Sequence, residues 1–199
     1  MKSSAQIRLV GLTGSIAAGK STVAELLAEA GFATINADTI AKDLLNQDEV
    51  RTSIISMFGA DCYSSDNTPN HKRIAEIIFN NEVKRHQLEA LIHPLVRRKV
   101  KELAQNVYPL IYDVPLLFES GGHKETDLNI MVDAPIELRF ERASKRNGWS
   151  RQEFMVREKN QIPAVQKRKL ADLVIENDSD QETLRSRLQP LIQLLNQHK

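Results

Sequence analysis

Two hydrophobic periods alternate along the 199-residue chain. Short β-branched or apolar runs recur at residues 7–12, 32–37, 110–113, 128–132 and 173–175, each of a length that suits a buried strand. Between them the apolar positions fall at helical spacing. Val23, Leu26, Leu27 and Ala30 form one stripe, with Gly31 as its stop, and Asp38-Thr39 can cap a next helix carrying Ile40, Ala41, Leu44 and Leu45. From about Val50 to Asn106 the pattern is helical throughout: Ile54, Ile55 and Phe58, then Ile74, Ile77 and Ile78, then Leu88, Leu91 and Ile92. A polar stretch, residues 64–70, interrupts it with turn chemistry. Later, Pro135 opens a helix bearing Leu138, Arg142 and Arg146 that breaks at Asn147-Gly148, and Ser150 and Glu153 stand at capping-box spacing. The segment from Arg157 to Arg168 is rich in positive charge with few core residues, a composition that suits a mobile lid. Leu184, Leu188, Leu191, Ile192 and Leu195 make the stripe of a closing helix. Strands alternating with helices predict an α/β protein with a parallel, doubly wound sheet.

Composition narrows the partners. The 27 Lys and Arg against 26 Asp and Glu leave a formal charge of +1, so no global field draws the chain to nucleic acid or anionic lipid, and neither is expected as a partner. The single cysteine, Cys62, cannot form an intrachain disulfide, and the start Met1-Lys2-Ser3-Ser4 lacks the apolar core of a signal peptide. Apolar runs such as 7–12 and 114–118 fall far short of the roughly 20 residues that cross a bilayer. A soluble, cytoplasmic protein is the expectation.

The strongest chemical signal is Gly14-Ser15-Ile16-Ala17-Ala18-Gly19-Lys20-Ser21, which fits G-x-x-x-x-G-K-[ST] between a strand and a helix. A tight loop that aims successive backbone N–H groups at phosphates, backed by a helix N-terminus, stabilises their negative charge. Lys20 would bridge the β- and γ-phosphates of ATP, Ser21 would offer a hard oxygen to Mg²⁺, and Thr22 would lie nearer the α-phosphate. The middle of the loop is poor in glycine, which restricts φ without removing donors. Asp38, beyond the second strand, is positioned to hold an acceptor hydroxyl; its alternative role is the helix cap, worth ~1 kcal/mol. Asp113 ends an apolar strand as an acid holding a water on Mg²⁺ would, or is a turn residue. Arg142 and Arg146, one turn apart, either reach nucleotide or form a solvated face. His93-Pro94 alone reads as helix punctuation.

These elements, together with Asn36-Ala37-Asp38-Thr39-Ile40-Ala41, His93-Pro94-Leu95, the run from Asp113 to Glu119, and Ala171-Asp172 before Val174-Ile175-Glu176-Asn177, resemble the dephospho-CoA kinase family. The resemblance runs in order from about Val10 to Asn177. It implies a three-layer P-loop NTPase fold with a five-stranded parallel sheet, in one domain: core segments 6–38, 107–142 and 170–199, a helical acceptor-binding insertion at 39–106 and a small lid at 143–165. It implies ATP-dependent phosphorylation of the ribose 3′-hydroxyl of dephospho-CoA, with Mg²⁺, by a monomer or weak homo-oligomer. Asp38 would face the acceptor hydroxyl, and Lys20 and Arg142 would serve the transfer. His93, Leu116, Phe118 and Glu119 would line the acceptor site, and Asn177 would lie near the adenine. Asn36 departs from the acid often found there. A kinase for another small acceptor, such as a nucleoside monophosphate, shares the P-loop and Mg²⁺ site. A nucleotide-dependent switch is opposed by the absence of an Asn-Lys-x-Asp segment.

Overall fold

The structure, a computed structural model, describes residues 6–199; the expectation for Met1 to Ser4 lies outside the described residues. The chain divides into two compact units. Among the described residues, one comprises residues 6–35 with Leu103–Lys199, and the other Asn36–Glu102.

The first unit is built on strands β1 (Leu9–Gly14), β2 (Ala33–Asn36, whose last residue is assigned to the other unit), β3 (Leu110–Asp113), β4 (Leu128–Asp133) and β5 (Leu173–Glu176). They form a five-stranded parallel sheet in the order β2-β3-β1-β4-β5. Leu9 stands opposite Leu110, and Val10 opposite both Ile111 and Leu128, so β1 is central and all six of its residues are buried. A strand covered on both faces needs no polar alternation, which is why residues 9–12 read as continuously apolar. Val10 and Leu12 meet Val23 and Leu27 of helix α1 (Lys20–Glu29) in one core cluster. The C-terminal helix, Gln181–Asn196, adds Leu184, Leu188, Leu191 and Leu195 to the same cluster. Burying each leucine contributes on the order of 2 kcal/mol as an upper figure. From β1 the chain leaves to one side toward β2, whereas the connection from β3 crosses to β4 on the other side. Ligands of open α/β sheets collect beyond the strand ends at such a reversal.

The second unit is helical. It contains α2 (Ala37–Leu44), α3 (Asp48–Phe58), α4 (His71–Phe79) and most of α5 (Glu82–Asn106). Val50, Ile54, Phe58, Ile74, Ile77 and Ile92 are buried, while Ile55, Ile78, Leu88 and Leu91 sit at the margins of their stripes. The expected turn is present: Ser64 N–H donates to Thr68 O at 3.0 Å, and Asn70 accepts from Arg73 N–H to start α4. Two local expectations are corrected. Asp38 does not cap α2; Asn36 does, accepting from the N–H groups of Asp38 and Thr39 at 2.8 and 3.2 Å. The reason is that β2 stops one residue sooner than its apolar run, so the half-turn residue with an accepting side chain is Asn36. His93-Pro94 does not punctuate either, because α5 runs through Pro94 without a break.

The remaining helices of the first unit are α6 (Ile136–Asn147), α7 (Arg151–Lys159), α8 (Ala164–Leu170) and α9 (Gln181–Asn196). Gly148 in the left-handed region closes α6, and Ser150 and Glu153 form the expected capping box on α7. The expectation of few core residues from Arg157 to Arg168 holds for apolar ones, but the neighbouring Phe154 is fully buried against Phe140, and Lys167 is 1% exposed. Among the described residues no helix is long and apolar enough to cross a membrane.

Candidate functional site

The loop from Gly14 to Lys20 follows the C-terminal end of the central strand and delivers the chain into α1. Its donors divide into two sets. Ser15 N–H donates to Val132 O at 3.2 Å and Ala18 N–H to Ser15 O at 3.1 Å, so these two amides brace the loop. The amides of Ile16, Ala17, Gly19, Lys20, Ser21 and Thr22 have no hydrogen-bond partner among the described residues. A row of unpaired N–H groups at a helix N-terminus is a concentration of positive potential suited to an anion. Gly19 takes φ +91°, and Ala17 takes φ +58° despite having a side chain. The scarcity of glycine is therefore met by one alanine in the left-handed region.

Ser15, expected to contact nucleotide, spends its hydroxyl elsewhere: Oγ donates to Asp133 Oδ1 at 2.8 Å, and both groups are buried. Asp133 also accepts from Arg168 at 3.0 Å, and Arg168 donates to Glu176 at 2.5 Å. Those two carboxylates, Glu176 first and then Asp133, hold the Arg168 guanidinium above its ordinary range. Thr13, fully buried, donates to Pro115 O at 3.1 Å and so ties β1 to the segment after β3.

Lys20 pairs with Asp113 through Nζ and Oδ1, with both side chains largely withdrawn from solvent. The ammonium and the strand-end carboxylate thus share one place. The Ser21 hydroxyl takes no partner among the described residues and Ser21 is exposed. Beside the loop lies a cavity of about 360 Å³ lined by Ala17, Gly19, Thr22, Arg142, Arg146, Asn177, Gln181 and Leu184. Its size and mixed lining suit a small organic ligand. Arg142 donates to Asn177 O at 2.9 Å and to Ala18 O at 3.4 Å, and Asn177 Nδ2 donates to the same Ala18 O at 2.7 Å. The cavity wall and the loop therefore hold one another in shape.

In the first unit, then, the fold gathers Gly14 to Thr22, Asp113, Arg142, Arg146 and Asn177 around one cavity and one row of amides. Leu116 is exposed and Phe118 buried. Glu119 pairs with Lys167 at 2.7 Å and accepts from Ile162 N–H at 3.1 Å, leaving its second oxygen buried without a partner. Asp38 and His93 belong to the second unit, and both are exposed. Sequence reasoning missed Arg139, Asp133, Lys167 and Gln181. Asp133 carried a usable signal, since it ends β4 as Asp113 ends β3. Arg139 carried none, because charge on a helix poor in apolar residues reads as solvated, yet it is 3% exposed.

Comparison with known proteins gives this geometry a family. The CoaE dephospho-CoA kinase profile matches residues 8–183. A dephospho-CoA kinase of Fusobacterium nucleatum is 40% identical over 180 residues, which cover 89% of this chain and 93% of that one. The solved dephospho-CoA kinase of Campylobacter jejuni superposes with a TM-score of 0.74 at 30% identity, over 96% of this chain and 99% of the other. A shikimate kinase of Bacteroides thetaiotaomicron, at 20% identity and a TM-score of 0.53 over 96% and 99% of the two chains, shares the fold alone. A P-loop whose free amides border a cavity suited to a small organic ligand, and a family match spanning nearly the whole chain, agree that this protein belongs to the dephospho-CoA kinase family.

Proposed function

We propose that the chain transfers the γ-phosphoryl group of ATP to the ribose 3′-hydroxyl of dephospho-CoA, giving CoA and ADP, the last step of coenzyme A synthesis. The observation that carries this reading is the row of unpaired amides leading into Lys20, set against the cavity of Arg142, Arg146 and Asn177 in a chain of this family. Phosphoryl transfer leaves little covalent work to a protein, so positioning and charge stabilisation supply the catalysis. The amides would receive the phosphates, and Lys20 would exchange its contact with Asp113 for the more highly charged phosphate tail. The adenosine end would occupy the cavity, with Arg142 and Arg146 supplying positive charge beside it.

The residues present fit Mg²⁺. Ser21 and Asp113 are hard oxygen donors, and among the described residues no cluster of three acidic, histidine or cysteine side chains offers a dedicated metal cage. That donor set suits an ion that keeps waters and takes its other ligands from phosphate. When bound, the ion would neutralise charge on the phosphate oxygens. Asp38 is our candidate for orienting the acceptor hydroxyl and accepting its proton late. Its support is the family resemblance and an exposed carboxylate that Asn36 relieves of capping duty. His93, Leu116, Phe118 and Glu119 are proposed on the acceptor side by the same resemblance.

The test is ADP release from ATP with and without dephospho-CoA, with the product identified by mass spectrometry. Release that depends on dephospho-CoA and yields CoA is expected. Preference for a nucleoside monophosphate, or nucleotide binding without transfer to either acceptor, would overturn the assignment.

A further inference from the structure

We infer that Arg139 is a positioning residue for the nucleotide: it locks the peptide between Ile16 and Ala17 so that the Ala17 N–H faces the phosphates, and it ties that peptide to α7. The inference rests on the nucleotide-binding reading and deepens it. Arg139 projects from α6 and is almost fully buried. Nε donates to Ala134 O at 3.0 Å, one terminal nitrogen donates to Ile16 O at 3.2 Å and to Glu158 Oε2 at 2.8 Å, and the other donates to Glu158 Oε1 at 2.7 Å. All but one of the guanidinium's five N–H groups are thus assigned. Glu158 lies on α7, whose Phe154 ring also faces the guanidinium at 5.8 Å.

The bond to Ile16 O has a consequence for the loop. A trans peptide is planar with its C=O and N–H opposed, so fixing the oxygen fixes the direction of the next N–H. That next N–H is Ala17's, one of the unpaired amides, and Ala17 lies in a backbone region that a residue with a Cβ enters only when its surroundings hold it there. The other Ala17-side constraints are few: the neighbouring Ala18 amide returns to Ser15 O, and Ala18 O is held by Arg142 and Asn177. Of these contacts, only the one from Arg139 orients the Ile16–Ala17 peptide itself. A lysine could not reproduce it, because a single ammonium lacks the planar fork that reaches Ala134, Ile16 and a bidentate carboxylate together.

The experiment measures ATP dissociation constants, steady-state constants for both substrates, and melting temperatures for wild type, Arg139→Gln, Ala17→Gly, the double variant and Glu158→Gln. Arg139→Gln should weaken ATP about tenfold or more while the KM for the acceptor moves less than twofold. Ala17→Gly should improve ATP binding at least threefold more in the Arg139→Gln background than in wild type, since glycine needs no support in the left-handed region. Glu158→Gln keeps an acceptor for the fork, and should lower the melting temperature while changing ATP affinity less than Arg139→Gln does. Should Arg139→Gln fail to fold, Arg139→Lys retains a cation beside Glu158 and carries the same expectations. ATP affinity within twofold of wild type in the Arg139 variant, or no coupling to Ala17, overturns the inference. So does an equal loss in Glu158→Gln, which would trace the effect to α7 alone. Failure of wild type itself to bind ATP would instead refute the nucleotide reading.

Discussion

Gly19→Ala adds one methyl group at the point where the phosphate loop enters α1. Gly19 has φ +91°, and an alanine held in that region costs about 1–2 kcal/mol. The new Cβ would also run into Asn177 Nδ2. Asn177 is 7% exposed and donates to Ala18 O at 2.7 Å, so it can yield only by giving up that bond inside the protein. Leaving such a buried group unpaired costs a further ~1–3 kcal/mol. The sum, about 2–5 kcal/mol, falls on the loop whose amides are proposed to receive ATP. At 1.4 kcal/mol for each factor of ten, even the lower part of that range predicts a loss of about 30-fold in ATP affinity. Titration calorimetry with ATP and Mg²⁺ reads it directly. Gly31→Ala is the matched control: φ is +85°, yet the nearest group to an added Cβ is Lys199 Nζ at 3.7 Å. It should cost the same about 1–2 kcal/mol of stability and leave ATP affinity within twofold. ATP binding by Gly19→Ala within threefold of wild type would refute the reasoning, and so would an equal loss in the Gly31 control.

Asp38→Asn should retain ATP affinity within twofold and lose about 100-fold or more in kcat, the ordinary share of a general base; near-normal turnover removes its role. Asn36→Ala deletes the acceptor for two amides of α2 and should cost ~1 kcal/mol, read as a lower denaturation midpoint with slope unchanged. An unshifted midpoint would return the capping role to Asp38. Phe154→Ala empties a fully buried site between α6 and α7 and should destabilise by roughly 3–5 kcal/mol, so a melting temperature equal to wild type contradicts the packing described. Burial, and secondarily the charge of Asp61, push the Cys62 thiol above its ordinary value, so its contribution to stability is complete below the unfolded thiol's pKa and is lost as pH rises through the raised one. Thiol labelling at pH 8 should be slow in the native protein and fast in denaturant, and rapid native labelling would contradict that environment.

Much of the fold was legible because its signals are local. The run before Gly14 reads as a strand from its apolar residues, the α9 stripe reads from a period, and the Ser150–Glu153 box reads from a spacing of three. Where two local signals competed, sequence was a weaker guide. Asn36 and Asp38 are both good cap residues, and the choice fell to the residue at which the extended backbone of β2 stops. At Pro94 the local preference for a break lost to the rest of α5, where the helix continues on both sides of it.

The sequence by itself determined that a phosphate-binding loop joins a strand to a helix, that strands and helices alternate around it, and that an acid ends the strand Leu110–Asp113. Tertiary structure decided which donors in that loop remain free. Ser15 meets Asp133 across 118 residues, Ile16 meets Arg139 across 123, and Ala18 meets Asn177 across 159. Those pairings follow from strand order, which places β4 and β5 beyond β1, and strand order leaves no period in the sequence. A motif states that amides are present; only the surrounding packing, by consuming some and turning others outward, decides how many can face an anion.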